Sequence, residues 1–576
     1  MKAFLRNFFA GFLALVVFTA ICYLVAKSKL EEKPEIKDRS YLIVDIYGEI
    51  FEYDPPTGVM GGMFEGKPET LNRILCNLEK AAVDDRIEGV IMKLSASNTA
   101  GGAMHQEMRR AIKKVRKAGK PVYAFTDDMD RNTVSLASAC DSIFATPTAW
   151  VVFTGMSLTS MHVKSMLDKL GINPNIHKIK DYKSAAELVT RTDLSPEAKE
   201  NLRWLLDEFW DMQLSVISEE RGIPIEKIEE LMEHAIFMAE EAKEAGLVDR
   251  LVYWSDLADQ LKREDDEKLR TVSQADYATV DPEELGLKGD KKIAVVHAQG
   301  MIGGRKNKVD PLFGVMMGHE SVCSELRRAR RDKDVAAVIF RVDSGGGEGL
   351  ASDIIGHEVR ILADEKPVVV SMVDVAGSGG YMIAYRATKI VADPLTITGS
   401  IGSISGKFNM TAFHRKLGIT HDFVTKGPMA LLFSQYRDFT EAERERFEKN
   451  HWDGFNMWLA DVAKYRGMTF EEAEKLAHGR VWTGRQAKAN GLIDEVGGLD
   501  RAIELAKELA EIPAGEKVTV VHYPKREKSF LSSLLGGGLA ASVRWAAYRY
   551  LHQDVLETAR SLSSGPVYIM DDSWIK

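Results

Sequence analysis

Ser378 stands in the run Ala376-Gly377-Ser378-Gly379-Gly380-Tyr381, where flanking glycines leave its hydroxyl with little steric cover. A serine placed where a turn enters a helix lies beside backbone N–H groups that have no intrahelical partner. An open hydroxyl with nearby donors for an oxyanion is what nucleophilic acyl transfer requires. The same position equally suits an ordinary helix N-cap, and the turn alone does not separate the two readings. The elements around it follow from the residue pattern. Residues 368–373 are mostly apolar and β-branched, which predicts a strand buried on both faces, and residues 374–380 supply the small residues of a sharp turn before a helix.

The chain can be laid over itself, which brings a second group into view. The pattern Val295-Val296-His297-Ala298-Gln299-Gly300 repeats that of Ile43-Val44-Asp45-Ile46-Tyr47-Gly48. Lys366-Pro367-Val368 repeats Lys120-Pro121-Val122, and Lys416-Leu417-Gly418-Ile419 repeats Lys169-Leu170-Gly171-Ile172. Ala487 to Asp494 repeats Ala242 to Asp249, so the matched positions lie about 245 to 252 residues apart, a domain-sized period. The halves differ where chemistry is at stake. The first half has no glycine in the turn 126–133 and places Arg131 opposite Ser378, while Lys183 in the first half faces Met429 in the second. Each half therefore keeps one candidate group, a lysine in the first and a serine in the second. A lysine can serve as base to a serine only when neutral, so Lys183 is expected to be buried, where desolvation disfavours the ammonium.

Composition bounds the rest. The 576 residues carry 76 basic and 85 acidic side chains, a net charge of −9, which gives no nucleic-acid footprint. The four cysteines are scattered and the histidines form no ligand-spaced cluster, so neither a disulfide framework, a metal nor a cofactor is expected. Alternating short apolar strands and amphipathic helices point to α/β layering. Residues 8–26 are uncharged and of membrane-spanning length, with lysines or arginine on both sides, and read as a signal anchor, a cleaved signal peptide being the competitor. The expected organisation is an anchor and tether at 1–38, a first half at 39–261, a linker at 262–291, a second half at 292–523, and a basic, amphipathic tail at 524–576.

The segments Asp181-Tyr182-Lys183-Ser184-Ala185, Ala376 to Tyr381, Thr398-Gly399-Ser400-Ile401-Gly402 and Gly491-Leu492-Ile493-Asp494 together resemble the signal peptide peptidase A, or protease IV, family in its long, duplicated form. The loop Asp343-Ser344-Gly345-Gly346-Gly347 departs from that family's usual Asn-Ser-Pro-Gly-Gly. The resemblance implies two tandem ClpP/crotonase-like domains and a membrane-anchored serine endopeptidase with a Ser/Lys dyad. Ser378 would be the nucleophile and Lys183 its general base and acid. Short apolar peptides such as cleaved signal peptides would be the substrates. It further implies a homotetramer at the bacterial inner membrane, spanning it once with catalytic domains on the extracytoplasmic side. Backbone at Gly379 and in the loop Gly345, Gly346 and Gly347 is expected to supply the oxyanion hole, with Ser400 lining the substrate groove. Two other readings stand beside this one: a crotonase-fold acyl-CoA enzyme, and a non-catalytic membrane scaffold.

Overall fold

Runs of β-branched and apolar residues become strands covered on both faces. Val335–Ser344 and Val368–Gly377 are almost wholly buried and pair in parallel, from Val338 with Val368 to Val342 with Met372, as central strands of a layered α/β unit should. The computed structural model describes residues 34–56, 68–310 and 313–525. The expected anchor at 8–26 and nearly all of the expected tail lie outside the described residues. Among the described residues no helix is long and apolar enough to cross a membrane.

Two sheets repeat one topology. The first orders its strands as Thr271–Ser273, Ser40–Ile46, Ile87–Leu94, Val122–Asp130, Ser142–Phe153 and Ala235–Met238. The second runs Val518–Tyr523, Lys291–Gln299, Val335–Ser344, Val368–Gly377, Ile397–Gly399 and Val481–Thr483. In both series the final strand is antiparallel and the others are parallel. The segment 262–291, expected as a linker, contains the edge strand Thr271–Ser273, which holds in the first sheet the place of Val518–Tyr523 in the second. Each sheet has apolar clusters on both faces.

The halves are joined by an arm and by a buried ion cluster. Strand Asn173–Lys178 leaves the first half and pairs antiparallel with Ile404–Asn409 of the second. Helix Pro196–Arg221 then lies over the edge strand Val481–Thr483, with the Trp204 and Trp482 rings 5.1 Å apart and Asn201 Oδ1 accepting the Val481 N–H at 3.1 Å. Deeper in, Arg341 of the second half donates through both terminal nitrogens to Glu107, at 2.9 and 2.8 Å, and through Nε to Glu52 at 2.7 Å. All three are buried. Burial would raise the Glu52 carboxyl, but His297 and Arg341 hold it at about 2. Asp374, on the strand that leads into Ser378, accepts the backbone N–H groups of Gly101, Ala103 and Met104. A carboxylate there satisfies orphan donors at the start of helix Gly102–Lys117 and complements its dipole.

Candidate active site

Ser378 ends strand Val368–Gly377 and occupies the N-cap position of the short helix Gly379–Met382, with φ +54° and ψ −116°. A serine costs energy there, since left-handed φ crowds its Cβ, and such strain persists only when its surroundings enforce it. The enforcing contacts are the Ser378 N–H donating to Gly399 O at 2.9 Å and the Ser378 carbonyl accepting the Met382 N–H at 2.9 Å. The side chain makes no capping bond. Its Oγ lies 2.9 Å from Lys183 Nζ.

The arm brings Lys183 in. The Ile179 N–H donates to Ser403 O at 2.8 Å and the Tyr182 N–H to His478 O at 3.1 Å, fixing the chain on either side of the last turn before the lysine. Lys183 then crosses Gly479, where a Cβ would stand 2.5 Å from the lysine Cα, so only glycine leaves room. Its stem runs past Gly402, whose added Cβ would be 3.3 Å from Lys183 Cδ. The side chain is 4% exposed, and burial alone pulls its pKa from 10.5 to about 7. Among the described residues no carboxylate pairs with it. Nζ lies 3.0 Å from Ser400 O and 2.8 Å from Ser400 Oγ. A neutral amine has two N–H donors and one lone pair, so those two acceptors leave the lone pair for the Ser378 O–H.

The glycine loop closes the other side. Gly346, at φ +104°, is packed so tightly that a Cβ there would stand 2.5 Å from Gly379 N and 2.9 Å from Ser378 Cβ. Its N–H is taken by Ser344 Oγ at 3.1 Å, and that hydroxyl donates in turn to Gly300 O at 2.7 Å. Ser344 therefore ties down a loop that lacks the proline usual at 345. Gly347 is joined to Ile302 by the bonds Ile302 N–H to Gly346 O and Glu348 N–H to Ile302 O, both 2.8 Å. That bridge uses neither hydrogen-bonding group of Gly347. Among the described residues the N–H groups of Gly347 and Gly379 have no partner, and the two glycines are packed together, a Cβ on Gly379 standing 3.1 Å from Gly347 N.

The duplicated position in the first half is closed. Arg131 is buried and donates through Nη1 to Thr154 O at 2.7 Å and Gly155 O at 2.8 Å, with Gln213 on its Nε. Beside it is a cavity of about 30 Å³ lined by Gly101, His105, Asn132 and Leu395 among others, room for about one water. It lies between the halves, Leu395 coming from the second and the other lining residues from the first.

The model of peptidase family S49 matches residues 114–268 and 360–513, one stretch in each half. This chain belongs to peptidase family S49. Among relatives of this S49 peptidase, serine protease SPPA, chloroplastic, of Arabidopsis thaliana is 35% identical over 468 residues, covering 80% of this chain and 69% of that protein. Protease 4 of Haemophilus influenzae is 32% identical over 492 residues, covering 81% of this chain and 78% of its own. A solved ClpP1 mutant from Listeria monocytogenes, 15% identical, overlays 36% of this chain and 94% of its own at a TM-score of 0.24, too slight an overlap to carry an argument. Membership of S49 makes the chain a serine peptidase.

Of the positions the sequence named in this S49 peptidase, Ser378, Lys183, Ser400, Gly346 and Gly379 converge on one point. Gly345 does not: it is exposed, and a Cβ on it would meet nothing within 4 Å. Ser400 does more than line a groove, since both its carbonyl and its hydroxyl hold the lysine. Sequence reasoning missed the Gly402 and Gly479 slot and the Ser344 tie. The only available signal was glycine and serine beside motifs already singled out, which leaves their contacts across the fold unspecified.

Proposed function

We propose that this chain is a membrane-anchored endopeptidase that uses Ser378 as nucleophile and Lys183 as general base and acid, acting on short, apolar, extended peptides such as signal-peptide remnants. The observation that carries the reading is the 2.9 Å approach of Lys183 Nζ to Ser378 Oγ with the lysine buried and unpaired with any carboxylate among the described residues. Ser378 attacks the scissile carbonyl while its proton passes to Lys183. The N–H groups of Gly347 and Gly379 take up the oxyanion, each such donor worth about 3 kcal/mol in the transition state. Lys183 then protonates the leaving amine, and water attacks the acyl-enzyme with Lys183 again as base. The two halves are domains of the ClpP/crotonase type. The apolar run at 8–26 anchors the chain in a bacterial inner membrane with the catalytic halves outside the cytoplasm, and the chain assembles as a homotetramer.

Labelling by a serine-reactive fluorophosphonate tests the dyad. The native chain should label, Ser378→Ala should not, and Lys183→Ala should label at least a hundredfold more slowly. Equal labelling of all three would sink the assignment. Substrate class is tested separately with synthetic signal-peptide fragments against charged peptides of equal length, a preference for the charged set counting against it.

A further inference from the structure

Two residues that hold Lys183 stand in backbone that nothing local favours. Ser400, which binds its amine, has φ +49°, and His478, whose carbonyl takes the Tyr182 N–H, has φ +55°. Left-handed φ at a residue other than glycine costs energy and persists only where the surroundings enforce it. Two backbone bonds clasp these segments together, Gly479 N–H to Ile401 O and Ser400 N–H to Arg480 O, both 2.8 Å. Arg480 therefore holds the lysine's clamp through its own carbonyl.

Its side chain reaches the lysine's own neighbour. The guanidinium lies 4.1 Å from the centre of the Tyr182 ring, and 5.0 and 5.7 Å from those of Trp204 and Trp482. Glu200, on helix Pro196–Arg221, ties the two: Oε1 accepts Arg480 Nη2 and Oε2 accepts the Tyr182 hydroxyl, each at 3.0 Å. The three side chains close a loop that joins the residue before the base to the residue bonded to its clamp. The first half has no such loop. There the places of Arg480 and Ser400 are taken by Ala235 and Phe153, beside the position that Arg131 closes.

We infer that Glu200 is a positioning residue: through Tyr182 and Arg480 it keeps Lys183 seated against Ser400 and shut off from water. This rests on the reading of Lys183 as the base and adds what holds it in place. The charged groups about the base are Lys180 and Asp181 on its own arm, His478 and Arg480 on the loop it crosses, Glu474 on helix Phe470–Leu476, and Glu200 on the covering helix. Burial, not any of these charges, governs its proton affinity. Loosening the loop admits water, which restores solvation to the ammonium and returns the lysine towards an ordinary one. The Glu200 side chain is 57% exposed, and an exposed ion pair contributes little to stability, so its removal leaves the fold intact and acts on the site.

Fluorophosphonate labelling of Ser378 on the full chain, followed from about pH 5.5 to 9.5, tests this with Glu200→Ala, Glu200→Gln and Tyr182→Phe. The control is Glu208→Ala on the same helix, which removes only an ion pair to Arg485 at 3.9 Å. Glu200→Ala should label about tenfold more slowly at pH 6, with its midpoint about one pH unit above the native chain's and its rate returning to the native plateau in alkali. Glu200→Gln, which keeps one acceptor, and Tyr182→Phe, which loses one bond, should shift the midpoint the same way by less. Glu208→Ala should match the native chain, and the unfolding midpoint should be unmoved in all four. A slowing of equal size at every pH overturns the inference, because a merely structural change would do that. So does a Glu200→Ala profile that matches the native one, or a Glu208→Ala profile that shifts with it. These outcomes leave the dyad standing, whereas a native chain that labels no faster than Lys183→Ala overturns the dyad and the role of Glu200 with it.

Discussion

The titration of Lys183 is the sharpest consequence of the site. A lysine must be neutral to accept the Ser378 proton, and burial brings its pKa from 10.5 to about 7. That shift corresponds to about 5 kcal/mol of differential solvation at roughly 1.4 kcal/mol per pKa unit. At pH 7 about half of the buried lysines are neutral, against about one in three thousand for an exposed one. The rate constant for fluorophosphonate labelling of Ser378, measured on the full chain from pH 5.5 to 8.5, should therefore rise about thirtyfold, tenfold per unit below pH 7 and flat above pH 8. Lys183→Arg, a side chain that stays charged throughout, should lose labelling at every pH. A rate that keeps climbing tenfold per unit past pH 9, or one indifferent to pH, would refute the reasoning, because either means that Lys183 is not a dry, neutral base.

The same burial affects stability. The folded state holds fewer protons on Lys183 than the unfolded state between about pH 7 and 10.5, so native stability rises with pH across that window and the cost is greatest below it. Lys183→Met should be more stable than the native chain in denaturant titrations, and its advantage should shrink by about 2 to 3 kcal/mol between pH 6 and pH 9; a pH-independent difference would contradict this. Gly346→Ala forces a Cβ to within 2.5 Å of Gly379 N at φ +104°, and displacing that amide should lower kcat/KM about a hundredfold, mostly through kcat. Near-native turnover would remove the loop from the oxyanion hole. Arg341→Leu leaves Glu107 buried without its cation and Glu52 with His297 alone, which should cost about 3 to 5 kcal/mol and lower activity in parallel, since the halves that carry serine and lysine are held together there. An unchanged unfolding midpoint would show that the cluster does not hold the joint.

What could be read from the chain depended on whether the signal was local or repeated. The strand before Ser378 was legible because a run covered on both faces must be apolar and β-branched, and the glycine turn because only small residues permit it. The duplication was legible because its matched segments keep a near-constant spacing, and together with the family resemblance it singled out Lys183 from the other lysines. Nothing local could decide whether Ser378 capped a helix or faced a base. The fold decides it by withholding the capping bond and bringing in a lysine 195 residues away. Tertiary structure likewise packed Gly346 against Ser378 and Gly379 and turned Ser400 into a clamp. It also placed Arg341 against carboxylates of the other half. These all rest on pairings between distant segments, in which the partner that satisfies a buried donor or charge is chosen by packing rather than by neighbouring residues. The sequence by itself determined which residues were able to do chemistry; their meeting required the arm that carries the first half's lysine into the second half's site.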